Sequence, residues 1–158
     1  MIKKVINVGS LWEISEKDIT DSIVYINIDS GCLIPEYIIA EVYNNNPFIR
    51  NKIVKNMNKI NFNYVNKLIP TRHYLSNFIK YLEEKSKIIY YVTKNVNIER
   101  EELIKNLQEY NLPIKEIIHF DKLNNNVILD KIIYLDSKVE EINIKANIVK
   151  IFKLNIFN

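Results

Sequence analysis

The stretch Ser22-Ile23-Val24-Tyr25-Ile26-Asn27-Ile28-Asp29-Ser30-Gly31-Cys32-Leu33 decides the fold. Its first half is an apolar, β-branched run, which predicts a strand buried on both faces. The run then breaks into Asn27, Asp29, Ser30 and Gly31. Polar groups where a buried strand stops are what a ligand site in an open α/β sheet requires. The chain has only 2 glycines, and Gly31 is one of them. Glycine lets the backbone turn sharply or approach a ligand closely. The same residues also spell an ordinary Asp-Ser-Gly turn. The stretch by itself leaves both readings open.

Working outward, Lys3 to Val8 predicts a short strand ending at Gly9. Leu11-Trp12-Glu13-Ile14 alternates weakly, so residues 1–20 read as an N-terminal extension or an edge hairpin. Downstream of the central strand, Pro35 suits the first turn of a helix. Ile38, Ile39, Val42 and Tyr43 follow at helical spacing, and a second helix carries Ile49, Ile53, Met57 and Ile60. Leu75, Phe78, Ile79 and Leu82 recur at i, i+3, i+4 and i+7, the apolar stripe of a helix opened by Pro70-Thr71. Ile88 to Val92 predicts a second buried strand, running into Thr93. Glu99, Glu101 and Glu102 open another helix, where acids complement the dipole. Ile114 to Phe120, Ile132 to Leu135 and Ile148 to Leu154 complete the strands, and a short helix is expected over Val139 to Ile144.

Strands and helices thus alternate from the central strand onward. That pattern predicts an α/β fold built on a mainly parallel, five-stranded sheet with right-handed crossovers. The central strand is expected in the middle, between the Ile88–Val92 and Ile132–Leu135 strands. Three strands end in polar residues: Asn27 and Asp29, then Thr93, then Asp136. In a parallel sheet the C-terminal strand ends share one edge, so these groups converge. Strands of any α/β protein tend to end in polar residues, so convergence alone is compatible with a site or with none.

Composition bounds the rest. A length of 158 residues predicts one domain with room for a small inserted subdomain. Hydrophobic residues make up 47%, enough for a real core. The net charge of +3 comes from 22 basic and 19 acidic residues with no compact basic cluster, which predicts no nucleic-acid partner. No apolar run reaches membrane-spanning length, and the N-terminus lacks a signal-peptide core. One cysteine, Cys32, rules out an internal disulfide and fits a cytoplasmic location. Cys32 reads as a small buried hydrophobe, and His73 and His119 as surface or structural residues. The tyrosines read as core edges and surface, since no basic stripe accompanies them.

With its motifs in this order, the chain resembles the haloacid dehalogenase-like superfamily, most of all its 5′(3′)-deoxyribonucleotidase type. The family pattern is a buried strand ending in Asp-x-Asp-Gly-Val-Leu, then a small cap, a strand ending in Thr, a Lys, and a strand ending in Asp-Asp. Tyr25-Ile26-Asn27-Ile28-Asp29-Ser30-Gly31-Cys32 stands at the first motif and Tyr90-Tyr91-Val92-Thr93 at the second. Phe120-Asp121-Lys122 resembles the Lys segment, and Ile133-Tyr134-Leu135-Asp136-Ser137 stands at the last. The resemblance implies a three-layer sandwich with a small helical cap inserted at about residues 35–69. The Ile69-Pro70 step is similar to the segment leading out of that cap, and the tail from Ile151 to Asn158 to a Phe-Asp-x-Pro-x-Asn ending.

The resemblance implies a nucleophile at position 27, an acid/base at Asp29, phosphate contacts from Thr93 and Lys122, and Mg²⁺ held at Asp29 and Asp136. Two substitutions break this pattern. The nucleophile position is Asn27, a neutral amide, and the Asp-Asp pair is Asp136-Ser137. An alternative register makes Asp29 the nucleophile and puts Gly31 where the acid belongs. The expectation is therefore a degenerate nucleotidase relative without phosphatase activity. Its role would be to bind a small phosphorylated ligand, a nucleotide or a protein partner. The competing expectation is an active Mg²⁺-dependent phosphatase acting on deoxynucleoside monophosphates or another phosphate ester.

Overall fold

The computed structural model describes residues 2–28, 31–36, 38, 41, 44, 46–49, 52, 67–94, 99–123, 129–137 and 144–155. The elements in chain order are β1 (Ile2–Val8), α1 (Glu16–Ile19), β2 (Ile23–Asn27), β3 (Leu33–Pro35), β4 (Leu68–Pro70), α2 (Leu75–Lys85), β5 (Ile88–Thr93), α3 (Arg100–Glu109), β6 (Ile117–His119), β7 (Leu129–Asp136) and β8 (Ala146–Leu154). Six strands form one sheet in the order β1-β8-β7-β2-β5-β6. All five pairings are parallel. The protein is thus α/β, with β2 between β5 and β7 as the apolar run predicts.

The expected count of five strands is corrected to six among the described residues. The additional strand is β1. It runs parallel to β8 with Ile2 opposite Ile148 and Val8 opposite Leu154. Residues 11–13 do not return as the second arm of a hairpin; they form a 3-10 turn. The turn has a local cause. Ser10 accepts from Trp12 N–H, and Glu13 Oε2 accepts from the Gly9 and Ser10 N–H groups at 2.7 and 2.6 Å, a capping box.

Alternation places the strand side chains on two faces. Val24, Ile26, Ile89, Tyr91, Ile133 and Leu135 pack with the helices, whose buried residues include Ile19, Phe78 and Leu107. Tyr25, Val92, Ile132, Tyr134 and Ile151 form the opposite core with Leu123 and Ile144. α2 buries the four residues its spacing predicts: Leu75, Phe78, Ile79 and Leu82. α3 buries Leu103 and Leu107 and carries Glu101 and Glu102 in its first turn. It stops where Asn111 takes a left-handed φ of 58° and Leu112 N–H bonds back to Leu107 O at 2.9 Å.

Pro35 and Pro70 lie not in helices but in a two-stranded antiparallel ribbon, β3 with β4, with Pro35 opposite Leu68 and Leu33 opposite Pro70. Each proline takes an end position, where its missing N–H costs the short ladder least. The ribbon brings together the two ends of the 35–69 insertion. Most of that insertion, and the helix expected over Val139 to Ile144 save Ile144 itself, lie outside the described residues. No helix among the described residues is long and apolar enough to cross a membrane.

Candidate functional site

In chain order β2, β5 and β6 build outward to one side, and β7 and β8 then build to the other. The strand order therefore reverses between β2 and β7. Such a switch point leaves a crevice at the C-terminal strand ends, the usual ligand position in open α/β sheets. Ile26 pairs with Leu135, so the next residues, Asn27 and Asp136, stand side by side there. Both are completely buried. The four apolar residues before Asn27 drive the strand into the core and carry its polar end with them.

Asp136 is engaged on both carboxylate oxygens. Lys94 Nζ donates to Oδ2 at 2.7 Å, and Tyr134 O–H donates to the same oxygen at 3.0 Å. Ser137 N–H donates to Oδ1 at 2.7 Å. Tyr134 reaches it because residues two apart on a strand share a face. The Lys94 side chain is 7% exposed and that of Asp136 0%. Its ammonium also lies 5.2 Å from the centre of the Phe120 ring, within cation–π range. An ion pair this dry gives little net stability over an apolar pair, but removing one partner is costly, about 3–5 kcal/mol.

Gly31 closes over these strand ends. A Cβ at position 31 would lie 3.2 Å from Asn27 O, 3.4 Å from Asp136 Cα and 3.6 Å from Ser137 N. The missing side chain is thus a requirement of close approach. Thr71 holds the loop from outside, its hydroxyl donating to Gly31 O at 2.9 Å or Cys32 O at 3.1 Å. Cys32 N–H donates to Asn27 O at 3.2 Å. The Cys32 thiol is buried, and burial pushes its pKa up to about 12. Cys32 is therefore a neutral packing group beside the site, as its sequence reading holds.

Thr93 ends β5 and is buried. Its register partner is His119, at the end of β6. Sequence reasoning set His119 aside, although it ends its strand as Thr93 ends its own. His119 Nδ1 accepts from Asp121 N–H at 3.2 Å. In the neutral ring that bond assigns the proton to Nε2. Nε2 is buried and meets no hydrogen-bond partner among the described residues. Lys122 is exposed, on the 3-10 turn Phe120–Lys122 that follows β6. Asp29 lies outside the described residues. His73 is exposed, its ring edge-on to Tyr74 at 5.4 Å.

The structure therefore brings Asn27, Thr93 and Asp136 to one edge and seats Lys94 on Asp136. Sequence reasoning passed over Lys94; its only local signal is its place directly after Thr93. Arg72 was also missed. It is buried, and its Nη2 donates to Gly9 O and Asn155 O, each at 2.9 Å. A cavity of about 380 Å³ opens at the other end of the strands, lined by Ile88, Tyr90 and Ile114 among others. It shares no residue with this edge.

The Mg²⁺ implied by the resemblance does not fit the residues described here. A hard cation needs anionic oxygens. Asn27 offers a neutral amide and Ser137 a hydroxyl, while the Asp136 carboxylate carries an ammonium. Among the described residues no three His, Cys, Asp or Glu side chains gather as a metal site. No family model, curated protein or solved structure matches this chain.

Proposed function

We propose that this chain is a haloacid dehalogenase-like domain of the 5′(3′)-deoxyribonucleotidase type that binds a phosphate ester or nucleotide without transferring its phosphoryl group. One observation carries the reading: the central strand ends in the neutral amide of Asn27, beside a carboxylate already neutralised by Lys94. An amide is too weak a nucleophile for an aspartyl-phosphate route. The family resemblance is supported by the arrangement of the motif strands, with β2 between β5 and β7.

Anion binding is supported by the charge of the same edge. Lys122 follows β6, and Lys153 on β8 pairs in register with Asp136. Thr93 contributes a hydroxyl and His119 an N–H at adjoining strand ends. These are the donor types that phosphate oxygens require. A cytoplasmic location belongs to this reading, resting on the single cysteine.

The test is a titration with inorganic phosphate and with deoxynucleoside monophosphates, followed by amide NMR. A parallel assay measures phosphate release from the nucleotides and from an aryl phosphate with Mg²⁺ present. The expected result is saturable shifts at Asn27, Thr93, Lys94 and Ser137, with no release above background. Mg²⁺-dependent release by the wild type would establish the alternative, an active phosphatase. Shifts absent from these amides would refute ligand binding at this edge.

A further inference from the structure

We propose that Lys94 is the resident cation of this edge: its ammonium occupies, at Asp136, the position a divalent metal would need, and so excludes one. The inference rests on the reading of this edge as the ligand site. The pair is buried on both sides, and Lys94 Nζ stands 2.7 Å from Asp136 Oδ2. That oxygen also accepts from Tyr134, and Oδ1 accepts from Ser137 N–H. A Mg²⁺ ion binding Asp136 would have to displace the ammonium or stand against it at contact distance. Either way a positive charge is forced to move within a low-dielectric site, where repulsion is strong.

The chemistry around the pair favours the ammonium. Mg²⁺ gives up its water reluctantly and asks for several oxygen ligands in a near-octahedral set. Asn27 and Ser137, the neighbours of Asp136, bring no charge to offset that dehydration. An ammonium asks for less: a few acceptors and an aromatic face. Asp136 gives the first and the Phe120 ring, 5.2 Å away, gives the second. Lys94 is also tethered, so it loses little freedom on entering the site, whereas a free ion must be drawn from solution. The position directly after β5 delivers it: Thr93 ends the strand, and the next side chain crosses β2 to reach β7.

Manganese(II) is the probe, since it takes the same oxygen ligands and broadens nearby NMR signals. In the wild type, Mn²⁺ is expected to leave the amides of Asn27 and Ser137 sharp, and Mg²⁺ to leave the melting temperature unchanged. Lys94→Ala leaves Asp136 buried and uncompensated, so it should melt lower. Mg²⁺ should then restore part of the loss, and Mn²⁺ should broaden Ser137. Lys94→Ala combined with Asp136→Asn should lose both responses. Selective broadening of Ser137 in the wild type would overturn the proposal. So would a folded Lys94→Ala protein that gains no response to either ion. Selective broadening in the wild type overturns the proposal even if Lys94→Ala does not fold. Phosphate is absent from these samples, so a failed phosphate titration counts against the proposed function, a failed metal experiment counts against metal exclusion, and the two failures are told apart.

Discussion

Arg72 donates from Nη2 to the backbone carbonyl of Asn155 at 2.9 Å, a contact across 83 residues. The same nitrogen donates to Gly9 O at 2.9 Å, and Nη1 to Thr71 Oγ1 at 3.2 Å. Gly9 follows β1 and Asn155 follows β8, so one guanidinium ties both strand ends to the segment leading into α2. Thr71 in turn is bonded to the Gly31 loop. The edge strand and the candidate site are therefore held by one connected set of bonds.

Arg72→Ala is expected to loosen that edge. It removes the guanidinium's hydrogen bonds to Gly9 O and Asn155 O, both on exposed residues, at about 0.5–1.5 kcal/mol each. Hydrogen exchange should rise at the amides of β1 and β8 more than in β2 and β5. Uniform exchange across the sheet would show that the guanidinium does not anchor this edge.

Gly31→Ala is expected to destabilise the protein by about 1–3 kcal/mol, the usual cost of forcing a methyl group into a packed site. The contacts it would meet are backbone atoms, Asn27 O at 3.2 Å and Asp136 Cα at 3.4 Å, which cannot rotate away. In a chain of this size each kcal/mol lowers the melting temperature by about 2–4 °C. A melting temperature equal to that of the wild type would show that the loop gives way freely.

Cys32 carries a pH signature. Burial holds its thiol at a pKa of about 12, against an ordinary value of 9.0. The unfolded thiol ionises first as pH rises, so the folded state binds the proton longer. The contribution to stability is complete below pH 9 and is lost progressively between about pH 9 and 12. Burial also raises Tyr25 and Tyr91 from their ordinary 10.0, adding to the fall at the upper end. Urea midpoints measured across this range should decline, and Cys32→Ala should flatten the early part of the decline. The native thiol should also resist alkylation at pH 8 until denaturant is added. Rapid labelling of the folded protein would contradict its burial.

On the proposed haloacid dehalogenase-like reading, Asn27→Asp supplies a carboxylate nucleophile, and adding Ser137→Asp supplies a second acidic position beside Asp136. The double variant is expected to show Mg²⁺-dependent phosphate release above that of the wild type, and Asn27→Asp alone a smaller gain. Nucleophile and metal act on the same phosphate, so their effects are not additive. The added carboxylates also give Mg²⁺ ligands that do not depend on displacing Lys94. Steady-state assays on deoxynucleoside monophosphates decide it. A silent double variant would show that restoring these two positions does not make a catalytic site.

Local chemistry determined much of this molecule. Ile23 to Ile26 read as a buried strand because a β-branched run permits little else, and β5 and β7 are legible for the same reason. The stripe of α2 and the polar strand ends at Asn27, Thr93 and Asp136 are likewise short-range patterns, visible without neighbours. What the tertiary structure alone decided is which of these residues meet. The ammonium on Asp136 is that of Lys94, 42 residues away in the chain, and no local pattern announces that pairing. β1 looked able to fold back on residues 11–14, and its partner is β8, at the far end of the sequence. His119 stands beside Thr93 only because β6 pairs with β5 in that register. Strand order, register and charge pairing are long-range choices among contacts of similar local merit. They are settled by burying both sheet faces at once, and no window of sequence contains that sum.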